Sequence, residues 1–162
     1  TVRDALSEED LFGLFGLKPG RSRHTSTSAP TSGGVALDDL SPIEFEQLVG
    51  RVYEAMGYSV RVTPPTRDGG IDLFATSVHE TGRERLAVQC KHQPVSSVGV
   101  EVGRNLFGAM SADQTITRGV VVTSGSCTSE LRRFCSNKRI ELVDRSLLLG
   151  LLIKYRVPTG AA

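Results

Sequence analysis

Residues 86–91 read LAVQCK, an apolar run interrupted by an amide and an ammonium. Strand side chains alternate between two faces, so Leu86, Val88 and Cys90 point one way and Ala87, Gln89 and Lys91 the other. A Gln and a Lys on one face of an otherwise apolar strand are costly to bury without partners. The segment DGGID at 68–72 supplies one, because Asp72 stands at the start of its own apolar run. A carboxylate, an amide oxygen and an ammonium converging on a sheet surface can hold a hard cation and a water beside a phosphate.

Working outward, Ser41-Pro42-Ile43-Glu44 is a helix start: Ser at the cap, Pro in the first turn, and Glu closing a capping box. Phe45, Leu48, Val49, Val52 and Met56 follow at helical spacing, and Gly57 ends the helix. Tyr58 to Thr63 alternates as a strand, and PPTRDGG is a turn-rich loop. Ile71 to Val78 and Arg85 to His92 are predicted strands joined by a HETGRE hairpin. Val98 to Met110 is helical, Gly119 to Thr123 is a buried strand, and Thr128 caps a helix carrying Leu131, Phe134 and Cys135. Ile140 to Val143 is the last strand, and Asp144 caps an apolar helix to about Tyr155. The predicted fold class is α/β, with a mixed central sheet flanked by helices.

Three segments surround this unit. Residues 1–17 hold a short helical piece, 18–36 are a Ser/Thr/Gly/Pro-rich flexible linker, and 158–162 are a disordered tail. The folded domain is expected over 37–157, and a start at Thr1 without Met suggests a piece of a longer protein.

Composition excludes more than it selects. In 162 residues, 39% are hydrophobic and 23% charged, which is ordinary for a soluble domain. A net charge of +1 leaves only local basic patches for binding nucleic acid. Cys90, Cys127 and Cys135 are odd in number without CxxC spacing, which argues against a disulfide framework or zinc knuckle and fits the cytoplasm. The LLLGLLI run at 147–153 is too short to span a membrane. His24, His79 and His92 form no histidine-metal cluster in sequence, and alternation points the Cys90 thiol into the core, away from any Cys-His hydrolase role.

Asp on one strand and a (D/E/Q)xK triplet on the next, in an αβββαβ core, resemble the PD-(D/E)xK nuclease superfamily. Phe45-Glu46, MGY at 56–58, DGGID at 68–72, QCK at 89–91 and GVVVTSG at 119–125 resemble the Mrr-like restriction endonucleases within it. The likeness covers roughly residues 40–154. It implies a Mg²⁺-dependent endonuclease, with Mn²⁺ able to substitute, acting on DNA in defence, as a homodimer or higher oligomer, beside a separate recognition or sensor domain. The triplet's usual acidic residue is Gln89 here, which lowers the negative charge of the site.

Each residue carries an ordinary reading beside the functional one. Asp72 is the expected principal metal ligand; otherwise it ends a turn. Gln89 offers its amide oxygen and Cys90 its main-chain carbonyl, or Gln89 is simply a bonded sheet residue. Lys91 stands beside the attacking water and scissile phosphate, or snorkels to the surface. Glu46 lies about 100° from the centre of its helix's apolar stripe, so it flanks the core. The resemblance lets it reach the metal through a water or bind a second ion; otherwise it is partly solvated. Arg61, Arg67, Asp68, Gly69, Gly70 and His92 are lesser candidates for touching nucleic acid, and each also fits a turn or a solvated surface. Three rivals stay open: a nuclease-fold module that binds nucleic acid without cutting, a nuclease for RNA or single strands, and a scaffold dimerising through Leu147 to Tyr155.

Overall fold

The computed structural model describes residues 36–64, 70–80 and 82–160. The helical piece expected in 1–17, nearly all of the linker, and Arg67, Asp68 and Gly69 lie outside the described residues.

After a 3₁₀ turn at Leu37–Asp39, helix α1 runs from Pro42 to Ala55. Its capping box forms as the sequence predicts: Glu44 N–H donates to Ser41 Oγ (3.3 Å) and Ser41 N–H to the Glu44 carboxylate (2.7 Å). Phe45, Leu48, Val49, Val52 and Tyr53 are buried along one stripe. The turn after it passes through Gly57 at φ +94°, a conformation that favours glycine.

Strands β1 (Ser59–Val62), β2 (Leu73–His79) and β3 (Gly82–Lys91) form an antiparallel meander. The hairpin is tighter than HETGRE implies, because His79 pairs with Gly82 and β3 starts there. Arg83, Glu84 and Arg85 are polar yet continue the ladder, since a solvated strand end tolerates charge on both faces. A two-residue strand, β4 (Ser97–Val98), precedes helix α2 (Val100–Ala112). Strand β5 (Arg118–Thr123) then pairs parallel with β3. The short β6 (Ser126–Cys127) pairs with β4, a second small sheet too brief for any period to announce. Helix α3 (Ser129–Cys135), strand β7 (Ile140–Val143, parallel to β5) and helix α4 (Arg145–Lys154) complete the described chain. The main sheet is mixed and five-stranded, in the order β1-β2-β3-β5-β7.

Two cores sit on the two sheet faces. Leu73, Leu86, Val88, Cys90, Val120, Val122 and Val143 pack with α1 and α4; Ala87 and Val121 pack with α2 and α3. The Val120–Val122 run is continuous because helices cover both faces of this central strand. Leu148, Leu151 and Leu152 are spent inside the first core. That leaves the rival reading of this helix as a dimer surface only its less buried residues, among them the half-exposed Ile153. Part of the expected disordered tail is also held, since the carbonyls of Pro158 and Gly160 each accept from the Arg51 guanidinium at 3.2 Å. No helix of the described residues is long and apolar enough to cross a membrane.

Candidate active site

Three elements meet where β3 ends at Lys91: the first turns of α1, the approach to β2, and β3 itself. Thr63, just past β1, clamps the approach to β2: its N–H donates to the Asp72 carbonyl (2.9 Å) and its hydroxyl to the carbonyls of Ile71 (2.5 Å) and Asp72 (3.0 Å). Asp72 N–H goes to the Val88 carbonyl at 2.9 Å, although Leu73 already faces Val88 in the register. Two residues of one strand therefore stand against one of the next, the pattern of a β-bulge, which re-aims the side chain it carries. Asp72 Oδ2 accepts the main-chain N–H of Cys90 at 2.7 Å, fixing the carboxylate across the end of β3.

The charges here act on one another. Burial raises the Asp72 carboxyl above its ordinary value, against the Cys90 N–H and the Lys91 ammonium, which lower it. Glu46, half-buried on α1, is raised by burial and then by the Asp72 charge, with Lys91 opposing. The Cys90 thiol is pushed well up by burial and then by Asp72 and Glu46, so it is an inert core group, as its strand parity indicates. Glu46, Asp72 and Lys91 thus share one field, with two carboxylates against one ammonium.

Gln89 is 3% exposed, and its Oε1 has no hydrogen-bond partner among the described residues. Gly70, at φ +76°, lies against it: a Cβ there would collide with the Gln89 amide nitrogen. The glycine is required twice, by its backbone and by the amide beneath it.

The lesser candidates scatter. His92 stacks on Phe45 with ring centroids 5.1 Å apart, bracing α1 against β3 next to Glu46 and Lys91. Arg61 lies on β1 with its guanidinium 5.8 Å from the centre of the Phe74 ring. Sequence reasoning missed Thr63, and it missed Ser124, whose hydroxyl accepts the Gln93 N–H at 2.9 Å and ties the chain after Lys91 to β5. A hydroxyl at a strand end is too common a signal to single out.

The donors fit a hard divalent cation. Burial raises both the Asp72 and Glu46 carboxyls, the Asp72 charge raises Glu46 further, and the buried Gln89 amide oxygen has no partner among the described residues. No group of three or more His, Cys, Asp or Glu side chains among the described residues is arranged to hold a metal. A cation here must therefore also draw on amide or main-chain oxygens, as the (D/E/Q)xK variant with Gln implies.

Residues 37–152 match the Mrr catalytic-domain family, described as a restriction endonuclease, and the chain belongs to that family. The fold is similar to AspBHI, a DNA modification-dependent restriction endonuclease (TM-score 0.60, 21% identity), over 72% of this chain and 32% of that one. It is also similar to AF1548, a protein of unknown function (TM-score 0.57, 17% identity), over 68% of this chain and 66% of that one. The chain thus spans just under two-thirds of one and about a third of the other. No curated protein matches the chain.

Proposed function

We propose that this domain is a Mg²⁺-dependent endonuclease that hydrolyses phosphodiester bonds in double-stranded DNA. The observations that carry the reading are the shared field of Asp72, Glu46 and Lys91 and, on the same strand as Lys91, the buried Gln89 amide oxygen without a partner among the described residues. Asp72 and Gln89 Oε1 would hold the cation together with the Cys90 carbonyl, and Glu46 would reach it through a water or hold a second ion. When bound, the cation supplies charge neutralisation at the phosphate and lowers the pKa of a nearby water. Asp72 is held in position by the Cys90 N–H, and Glu46 by the packing of Phe45 against His92. Lys91 orients the water and offsets the negative charge that builds on the phosphoryl oxygens as the water's oxygen bonds to phosphorus and the P–O bond to the leaving group breaks.

Defence in the cytoplasm, action as a homodimer and control by a separate sensor domain extend this reading. A modification-dependent relative about three times the length of the matched region supports the last of these. Binding without cleavage is the rival that the missing acid at Gln89 favours.

Supercoiled plasmid with Mg²⁺ or Mn²⁺ tests the proposal. Nicked or linear product from the wild type, absent with Asp72→Ala and with EDTA, supports it. Binding that survives EDTA, with no product under either metal, would replace it with the non-cleaving module.

A further inference from the structure

We propose that the open face of β1, β2 and β3 is a second nucleic-acid site, a cradle for the sugar-phosphate backbone of duplex DNA away from the scissile bond. This rests on the nuclease reading above and adds to it a surface that the catalytic residues do not explain.

Strand parity and register build the face. Arg61 faces Phe74, which faces Ala87; Ser59 faces Thr76, which faces Arg85; and Val78 faces Arg83. Directly opposed residues of an antiparallel sheet share a face. These side chains, Ala87 apart, line one hollow of about 460 Å³. Helices α2 and α3 cover the β3–β5 side of this face, and Val78 stays 78% exposed.

The charge is one-sided. Arg61, Arg83 and Arg85 line the hollow, and among the described residues no carboxylate does. Arg85 is spoken for: it pairs with Asp113 at 2.8 Å and lies 4.1 Å from the centre of the Phe74 ring. Arg61 rests over the same ring, and neither it nor Arg83 has a carboxylate partner among the described residues. The opposite face differs: there Glu84 answers Arg118 at 2.9 Å. A solvated sheet face normally mixes both signs, so uncompensated guanidinium groups around an aromatic platform suit a polyanion.

Position supplies the rest. Lys91 has the same strand parity as Arg83 and Arg85. Arg85 is six residues before it, ~20 Å along the strand, and Arg61, two strands across, is level with Ala87, ~13 Å along the strand direction. With one phosphate per ~3.4 Å along each strand of duplex DNA, a single short duplex can engage the catalytic end and the arginines together. With an overall net charge of only +1, attraction to DNA has to come from such a local patch.

The test is binding of a fluorescent duplex without added divalent cation, so that nothing is cut, by wild type, Arg61→Ala, Arg83→Ala and the double variant. Arg104→Ala is the charge-matched control, since Arg104 sits on α2 in an exposed pair with Glu130 at 3.7 Å. Each single variant should bind ~3–10-fold more weakly at low salt, and the slope of log affinity against log salt should flatten by about 0.9 for each phosphate no longer neutralised. The control should bind like wild type. Wild-type affinity and slope in the double variant, from a protein that still binds and cuts, would overturn the cradle alone, as would equal weakening in Arg104→Ala. A wild type that binds no duplex and cuts none would overturn the nuclease reading with it.

Discussion

The Asp72 carboxylate accepts the main-chain N–H of Cys90 at 2.7 Å. This bond crosses from the bulged approach of β2 to the last residues of β3, so it sets the distance between the carboxylate and Lys91. It also holds a charge where burial disfavours one, since the Asp72 carboxyl is raised by desolvation despite the bond.

That tension has a sign in stability. Asp72 and Glu46 both bind protons more tightly folded than unfolded, so their contribution is greatest below the ordinary carboxylate range and is lost as pH rises through their raised values. Asp72→Asn keeps an oxygen for the Cys90 N–H and removes the charge. In EDTA it should melt no lower than wild type at neutral pH, with a shallower loss of Tm between about pH 4 and 7, while cleavage falls by at least ~10²-fold. Melting curves across that range decide it; an Asn variant with the wild-type pH slope sinks the argument.

Cation binding should reverse the same penalty. Mg²⁺ at about 100 times its Kd adds roughly 2.7 kcal/mol to the folded state. Differential scanning calorimetry should show Tm rising with Mg²⁺ for wild type and little change for Asp72→Asn. An equal rise in both places the cation elsewhere.

Gly70 is expected to tolerate no side chain. Alanine there meets the Gln89 amide and must adopt φ +76°, which costs on the order of 1–2 kcal/mol. Gly70→Ala should stay folded by circular dichroism yet lose cleavage by ~10-fold or more as Gln89 is displaced. Full activity would mean that the Gln89 position is not needed.

At the other end of the sheet, Arg118 lies between Glu84 (2.9 Å) and Glu141 (3.3 Å), and Tyr58 donates to Glu84 at 2.8 Å. Burial and then this bond push the Tyr58 hydroxyl up to about 12. Arg118→Ala removes the cation shared by two partly buried carboxylates and should cost ~1–2 kcal/mol in urea titrations, less than a fully buried pair because solvent reaches the group. The exposed Arg104–Glu130 pair should cost under ~0.5 kcal/mol by the same measurement. Equal losses in the two variants would show that the partly buried network adds nothing.

Local chemistry is what makes part of this fold legible in the sequence. Ser41-Pro42-Ile43-Glu44 announces α1 because capping is decided within four residues, and LAVQCK announces β3 because period 2 is local geometry. The helical wheel sets Glu46 beside the core, and it lies there, half-buried, in the field of Asp72 and Lys91. The bulge at Asp72 stays hidden because it depends on pairing between strands, and the β4–β6 pair because two residues carry no period. The apolar face of α4 says that the helix is covered, not by what; Leu148 and Leu151 meet the sheet of their own chain. Arg83 reads as hairpin polarity and Arg85 as the start of a strand, since only register brings them beside Arg61.

The most direct test is single-turnover cleavage of supercoiled plasmid with saturating Mg²⁺, wild type beside Lys91→Ala, with DNA binding measured in parallel. The expected result is nicked or linear product from wild type, a loss of ~10²-fold or more in Lys91→Ala, and binding within a few-fold of wild type. Cleavage by Lys91→Ala at the wild-type rate would contradict a site built on Asp72, Gln89 and Lys91.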